Sequence, residues 1–359
     1  MREQILQSGK IVLITFIFSA LIMILMKKIA FHIGATDIPT EKEGHRHIHK
    51  KTMPKLGGLG IFLAFLFGYM LFGEQSLRMN SILIGSFIII LTGIIDDITD
   101  IRPIHKFAGH IAAAAVIAIY GGITLNDISA FGYTIDFGIF AIPITILFLA
   151  ATTNIINLVD GLDGLSGGIC SIFYLTIIII AFYQGRFGTL VMTLSLIMLG
   201  STLGFLLHNF HPAKIFAGDC ATFMGFIIGV ITLLEFKGPA LISFFIPVAI
   251  LGVPIMDTLF AIIRRLLKGQ SPSHADNAHL HHQLLGMKFS QVKTVLIIYA
   301  IEALFALASI FYVIKDPIKG QIVYIILFII VLWFVLTTSI ITEKRPKIIQ
   351  KLNKKLKRK

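Results

Sequence analysis

The chain has 359 residues, of which 56% are hydrophobic and 14% are charged, and its mean hydropathy is +0.88. This composition excludes a soluble domain with a polar surface, because too few polar side chains remain to cover one. A formal net charge of +12 suits anionic membrane head groups and anionic substrates, whereas the basic C-terminal end lacks the accompanying fold that nucleic-acid binding would need.

Apolar windows long enough to cross a bilayer recur along the chain and predict an all-α, polytopic membrane protein. A spanning helix needs about 20 largely apolar residues. We predict ten to eleven transmembrane helices, at 11–30, 57–73, 80–95, 104–121, 139–156, 168–184, 188–208, 221–236, 240–263, 293–314 and 320–342. Residues 1–342 are therefore expected to form one transmembrane domain, and residues 343–359 a basic tail.

The placement of basic residues predicts the orientation. If the N-terminus lies outside, 24 of the 31 lysines and arginines fall on the inside, which is the cytoplasmic side by the positive-inside rule. The tail and all the polar loops then face the cytoplasm.

Carboxylates and histidines are costly near a membrane, so their repeated occurrence at one membrane boundary indicates a chemical function. They form five clusters, at 45–55, 96–97, 157–163, 208–219 and 274–282.

The first two clusters supply cations and paired acids. Residues 45–55 carry three histidines together with Lys50 and Lys51, and a positive cytoplasmic loop would explain the lysines but not the histidines. Asp96 and Asp97 end an apolar span, and two adjacent carboxylates repel each other unless a proton or cation intervenes. Magnesium with substrate phosphate oxygens is one partner that fits, and a solvated pair at a helix end is the alternative.

The next two clusters are acidic loops. Asn157, Asp160 and Asp163 lie in a glycine-rich turn whose backbone can approach a ligand closely. The spacing does not match a calcium loop. In the segment 208–219, Asp219 precedes an apolar helix, where it is either an N-cap or a metal-binding carboxylate.

The fifth cluster combines histidines with arginines. His279, His281 and His282 follow Arg264 and Arg265 in a polar loop that lacks a zinc motif. Imidazoles beside arginines can hold a phosphate by charge and hydrogen bonding. A solvated polar loop is the alternative.

Taken together, the clusters resemble the polyprenyl-phosphate N-acetylhexosamine-1-phosphate transferases, integral membrane enzymes of bacterial envelope glycan synthesis. The His-x-His-His form, interrupted by Leu280, is similar to the WecA/TagO-type branch rather than to MraY, the peptidoglycan branch. One departure is Cys220-Ala221-Thr222, where the family usually reads x-Gly-Ser. The matching pieces, which run in order, are Lys-x-Met-Pro-Lys-Leu-Gly-Gly ending at Gly58, Asp96-Asp97, Asn157 to Gly164, Asn209 to Asp219, and His279 to His282.

The resemblance implies a reaction and roles for the clusters. UDP-N-acetylhexosamine, most simply UDP-N-acetylglucosamine, and undecaprenyl phosphate would give undecaprenyl-diphospho-sugar and UMP. The enzyme would depend on Mg²⁺, with Mn²⁺ as a substitute, and would lie in the bacterial plasma membrane, where a homodimer is compatible with the sequence. Asp219 and then Asp97 would bind the metal, and Asp96 would deprotonate or orient the lipid phosphate. The residues expected to bind substrate are Lys50 or Lys51, Asn157, Asp160, Asp163 (nearest uracil), Asn209, His279, His281 and His282.

Three other functions compete with this interpretation. An MraY-type enzyme would take UDP-N-acetylmuramoyl-pentapeptide. An ion-coupled transporter would place acids at mid-span, but only Asp257 and Glu302 lie inside predicted spans, where we expect structural or helix-pairing roles. A CDP-alcohol phosphotransferase would need an Ala-Arg closely after the Asp-Gly at Asp160, which the chain lacks.

Overall fold

The computed structural model describes residues 2–38, 52–130, 133–235, 251–267, 280–314 and most of 319–330. Helices dominate, as the apolar windows predict. Within these described residues, seven helices are long and apolar enough to cross a membrane. The helices, in chain order, are α1 Arg2–Ile33, α2 Gly57–Phe72, α3 Leu77–Thr99, α4 Pro103–Ala115, α5 Ala141–Val159, α6 Leu165–Tyr183, α7 Leu190–Asn209, α8 Thr222–Glu235, α9 Gly252–Leu267, α10 Leu280–Gly286 and α11 Gln291–Ile314.

The helix ends follow local sequence signals. Ser76 caps α3, accepting a hydrogen bond from the Met79 amide at 3.1 Å, and Pro103 stands at the first position of α4, where its missing N–H is not needed. A π-helical turn, Val116–Tyr120, extends α4. The predicted spans 57–73 and 221–236 are short helices of 16 and 14 residues. Of the predicted span 240–263 the structure describes residues 251–263, and of 320–342 it describes most of 320–330; the remainder of both spans and the tail lie outside the described residues.

In the part of the chain that the structure describes, four short strands accompany the helices, and the hydrophobic pattern does not predict them. β1 Thr36–Asp37 pairs antiparallel with β2 Met53–Pro54, and β3 Asp127–Ala130 forms a hairpin with β4 Tyr133–Asp136. The β1–β2 pair leads the chain from α1 into α2, beside the polar clusters.

The interior of the bundle is apolar and closely packed. The central helices α6 and α7 bury most of their side chains, and α1 packs along α7 where Gly200 and Gly204 remove side-chain bulk. A Cβ on Gly200 would lie 1.9 Å from Thr15 Oγ1, and the Ser19 hydroxyl donates to the Ser201 carbonyl at 2.6 Å. Small residues that allow backbones to approach are typical of helix pairs in membranes.

Candidate active site

Asp219 joins four helices at one end of the bundle. It opens the 3-10 turn Asp219–Ala221 that leads into α8. Its backbone N–H donates to both carboxylate oxygens of Asp97 on α3, at 3.1 and 3.0 Å. Its side chain accepts hydrogen bonds from Asn157 on α5, at 3.2 Å, and from the ammonium group of Lys106 on α4. Three separate predicted clusters therefore meet at this carboxylate.

Lys106 is not among the residues that the motifs predict. It lies in the first turns of α4 with its side chain only 15% exposed, and its Nζ donates to Asp96 Oδ2 at 3.0 Å as well as to Asp219. The sequence does hold a signal for it, because Lys106 is the one lysine or arginine inside the predicted span 104–121. A charged residue inside a span is costly and is usually retained for function. Burial alone would raise the pKa of Asp219, but the Lys106 charge and the hydrogen bonds to its carboxylate lower that pKa below its ordinary value.

The adjacent acids Asp96 and Asp97 make different contacts. Asp96 accepts from Lys106 and, through Oδ1, from the Ile101 amide at 3.0 Å, whereas the buried Asp97 faces the Asp219 amide. The carboxylate oxygens are the hard ligands that Mg²⁺ prefers, and Mg²⁺ takes few protein carboxylates beside substrate phosphates and water. The chemistry of the donors fits that ion, although within the described residues no three acids, histidines or cysteines converge as a ready set of ligands.

Glycines and a backbone ladder hold the Asp219 segment in place. Gly57 and Gly58 donate to the carbonyls of Phe216 and Ala217, at 2.8 and 2.9 Å. Gly218 has φ +70°, and a Cβ there would lie 2.1 Å from the Lys55 carbonyl oxygen and 2.4 Å from Asp97 Oδ2. Only glycine tolerates both that φ and that contact. The Leu-Gly-Gly of the first motif and the Gly-Asp of the fourth are therefore parts of one structure.

The loop after α5 carries the remaining predicted acids. Asp163 Oδ2 accepts from His211 Nδ1 at 2.7 Å and from the Ala213 amide at 3.1 Å. Asp160 accepts from the Ser166 hydroxyl at 2.5 Å. Desolvation by surrounding protein atoms, with smaller contributions from the charges of Asp219 and Asp163, raises the pKa of Asp160 to about 6.

Asn209 links this loop to the segment that carries Asp219. Its Oδ1 accepts from the Gly164 amide and its Nδ2 donates to the Ile215 carbonyl, both at 2.9 Å, and the side chain is buried. Because its amide already bonds to the protein through both ends, these contacts indicate that it holds the two loops together. Direct contact of Asn209 with substrate stays a prediction.

The histidine helix α10 packs against the acidic loop. His281 is buried, and a Cβ on Gly161 would lie 2.6 Å from its Nε2 atom. The His282 ring lies 4.2 Å from the His281 ring between centroids. Asp257 on α9 accepts from the Leu280 amide at 2.7 Å, so it anchors the start of α10, which is the structural role expected for it. Lys50, Lys51 and His279 lie outside the described residues.

Together these groups suit an anionic substrate bound through a cation. Carboxylates and one ammonium are concentrated at helix ends, beside imidazoles that can donate to phosphate oxygens. The site has an acidic centre around Asp219 and a loop with partly buried acids, and His281 lies against that loop.

Comparisons with known proteins agree with this chemistry. The family model described as glycosyl transferase family 4 matches residues 79–235. The chain is 39% identical to a probable undecaprenyl-phosphate N-acetylglucosaminyl 1-phosphate transferase of Bacillus subtilis, over 93% of this chain and 94% of the relative. It is 30% identical to a decaprenyl-phosphate N-acetylglucosaminephosphotransferase of Mycolicibacterium smegmatis, over 89% and 85%. It is 26% identical to an undecaprenyl-phosphate alpha-N-acetylglucosaminyl 1-phosphate transferase of Escherichia coli, over 81% and 80%.

Proposed function

We infer the reaction from the family: the chain belongs to the polyprenyl-phosphate N-acetylhexosamine-1-phosphate transferases, in their WecA/TagO-type branch. It transfers N-acetylglucosamine 1-phosphate to undecaprenyl phosphate, a membrane step of cell-envelope glycan synthesis. UDP-N-acetylglucosamine is the donor we propose, with UMP as the second product.

The observation that carries this proposal is the meeting of Lys106, Asn157 and Asp97 at Asp219. The reaction brings a lipid phosphate to a sugar diphosphate, so two anions must approach each other. A site of this kind needs fixed charges that position both partners and neutralise the transferring group. The centre around Asp219 supplies the Lys106 ammonium, together with carboxylates that can hold a cation, at one end of a membrane bundle.

The chemistry is a displacement at phosphorus. An oxygen of the lipid phosphate attacks the sugar-linked phosphorus, and a new P–O–P bond forms as the bond to UMP breaks, with UMP taking the electron pair. Asp96, held by Lys106 and the Ile101 amide, orients the lipid phosphate or accepts its proton. A direct attack and a covalent phospho-aspartyl route are both compatible with these contacts.

We propose that Mg²⁺ serves this site, with Asp219 and Asp97 as the residues that would hold it. When bound, the ion would neutralise charge on the diphosphate. Lys106 would offset part of the negative charge of Asp96, Asp219 and the reacting phosphates. Asp160 and Asp163 would line the nucleotide, and His281 and His282 would donate to its phosphates.

We further propose that this end of the bundle faces the cytoplasm, on the basis of the 24 to 7 division of basic residues. Cys170 and Cys220 are both buried, so single cysteines introduced by Lys214→Cys and Arg186→Cys can be labelled selectively. Lys214→Cys should react with an impermeant maleimide only in inside-out vesicles, and Arg186→Cys only in right-side-out vesicles. The reverse pattern would overturn the orientation.

A panel of UDP-sugars tests the function. Purified protein with undecaprenyl phosphate should convert UDP-N-acetylglucosamine into a lipid product that mass spectrometry identifies, with one UMP released per lipid. UDP-N-acetylmuramoyl-pentapeptide should give none. Consumption of the pentapeptide substrate alone would assign the chain to the peptidoglycan branch, and release of UMP without a lipid product would refute the transfer.

A further inference from the structure

A second group of cations lies between α1 and α7, apart from the contacts around Asp219. We call Lys27, His208 and Lys214 the basic cluster. Lys27 Nζ lies 3.0 Å from His208 Nδ1, and His208 Nε2 lies 2.9 Å from the Ala20 carbonyl oxygen. A carbonyl only accepts and an ammonium only donates, so Nε2 carries the proton and Nδ1 accepts from Lys27. His208 is therefore neutral in this arrangement and holds a charged Lys27 in a fixed position.

Within the described residues, no carboxylate forms an ion pair with the lysines of the basic cluster, Lys27 and Lys214. Lys214 follows the end of α7, and its backbone N–H donates to the His208 carbonyl at 2.8 Å, so both lysines are tied to the same histidine. Two like charges held near each other at a partly desolvated surface favour a bound anion.

The surroundings of the basic cluster are apolar and exposed. Ile24 and Phe31, one turn before and one turn after Lys27 on α1, are 51% and 55% exposed, and α1 and α7 are both long and apolar enough to span a membrane. Lysines at such helix ends extend their ammonium groups to the head-group level. A ligand that fits this position has an anionic head and apolar chains.

We propose that the basic cluster binds the phosphodiester head group of an anionic phospholipid. The head group would accept hydrogen bonds from Lys27 and Lys214, and its chains would lie against the exposed faces of α1 and α7. Lys214 belongs to the segment whose Ala213 amide holds Asp163 and whose Ile215 carbonyl holds Asn209. A bound lipid would therefore also hold the segment that leads to Asp219. The proposal does not depend on the reaction assigned to the site.

Lipid binding can be measured directly by native mass spectrometry of the delipidated protein titrated with phosphatidylglycerol. Lys27→Gln and Lys214→Gln remove one charge each, and glutamine at position 27 keeps a donor for His208. At about 1 kcal/mol per basic residue, each variant should weaken binding about fivefold and the double variant about 30-fold. Lys28→Gln is the matched control, because Lys28 is the neighbouring, exposed lysine of the same helix and should change binding less than twofold.

The outcomes separate this site from a diffuse basic surface and from other phosphates. Equal weakening by Lys28→Gln and Lys27→Gln, or no weakening by the double variant, would overturn the proposal. Stronger competition by undecaprenyl phosphate or by inorganic phosphate than by phosphatidylglycerol would also overturn it, because the occupant would then be the lipid carrier or a free anion. Preferential loss of phosphatidylglycerol in the double variant, with normal UMP release in saturating lipid, would support it.

Discussion

Replacing Gly93 with alanine should disable the site through the backbone that carries Asp219. Gly93 lies on α3 one turn before Asp97, and a Cβ there would lie 2.8 Å from the backbone nitrogen of Cys220 and 3.0 Å from its Sγ. Ordinary contact begins at 3.4 Å, so the Cys220 backbone would have to move by about 0.6 Å, since packed backbone cannot simply absorb the overlap.

That movement acts on the hydrogen bonds between Asp97 and the Asp219 amide, which are 3.1 and 3.0 Å long. A shift of about 0.6 Å directly away from α3 would lengthen them to about 3.6 Å, beyond hydrogen-bonding distance. Misplacement of catalytic groups by about 1 Å costs roughly 100-fold in rate. We therefore expect Gly93→Ala to lower kcat by about 10- to 100-fold.

Gly85→Ala is the matched control on the same helix. Its Cβ would lie 2.7 Å from the Phe226 ring, so it also overpacks α3 and gains the same helix propensity, but it does not touch the Asp219 turn. Both variants should lose thermal stability, and only Gly93→Ala should lose kcat in a UMP-release assay with folded protein. Wild-type kcat for Gly93→Ala, or an equal loss for Gly85→Ala, would refute the reasoning.

Four further predictions concern charges in the site. Lys106→Gln should lower kcat at least about 100-fold, which is the effect of removing one preorganised charge contact. Lys106→Arg keeps the positive charge and should retain part of the wild-type kcat. A similar loss of kcat in both variants would instead indicate a packing role. Chelation should abolish UMP release and added Mg²⁺ should restore it, while full activity in chelator would remove the metal from the proposal. Because the pKa of Asp160 is raised to about 6, its carboxylate is protonated below pH 6 and ionised above it. The ionised carboxylate is the better hydrogen-bond acceptor for the nucleotide, so the KM for the UDP-sugar should fall as the pH rises through 6. Asp160→Asn should flatten that pH dependence of KM. His281→Ala should lower the rate by about 100-fold, whereas His281→Gln should retain part of the wild-type rate. Equal rates for the wild-type protein and both variants would exclude a phosphate contact of His281.

The chain's own pattern specifies the class of protein and most of the site's residue types. Length, hydropathy and the recurrence of apolar windows are enough for an all-α membrane bundle, since a bilayer leaves few other structures possible. Asp96, Asp97, Asn157, Asp160 and Asp219 could be predicted because acidic and other polar groups at membrane boundaries stand out against an apolar background.

Tertiary packing alone decided how those residues meet. Asp96 and Asp97 are neighbours in sequence yet contact different partners, because adjacent residues of a helix point in directions about 100° apart. Lys106 gains its importance from α4 lying beside α3 and from its contact with the turn Asp219–Ala221, and Gly93 from the short distance between its own backbone and that of Cys220. Asn209 could be predicted as polar and significant, but not as the link between two loops. A sequence pattern records which side chains avoid the membrane, whereas contacts between helices far apart in the chain depend on how the whole bundle packs.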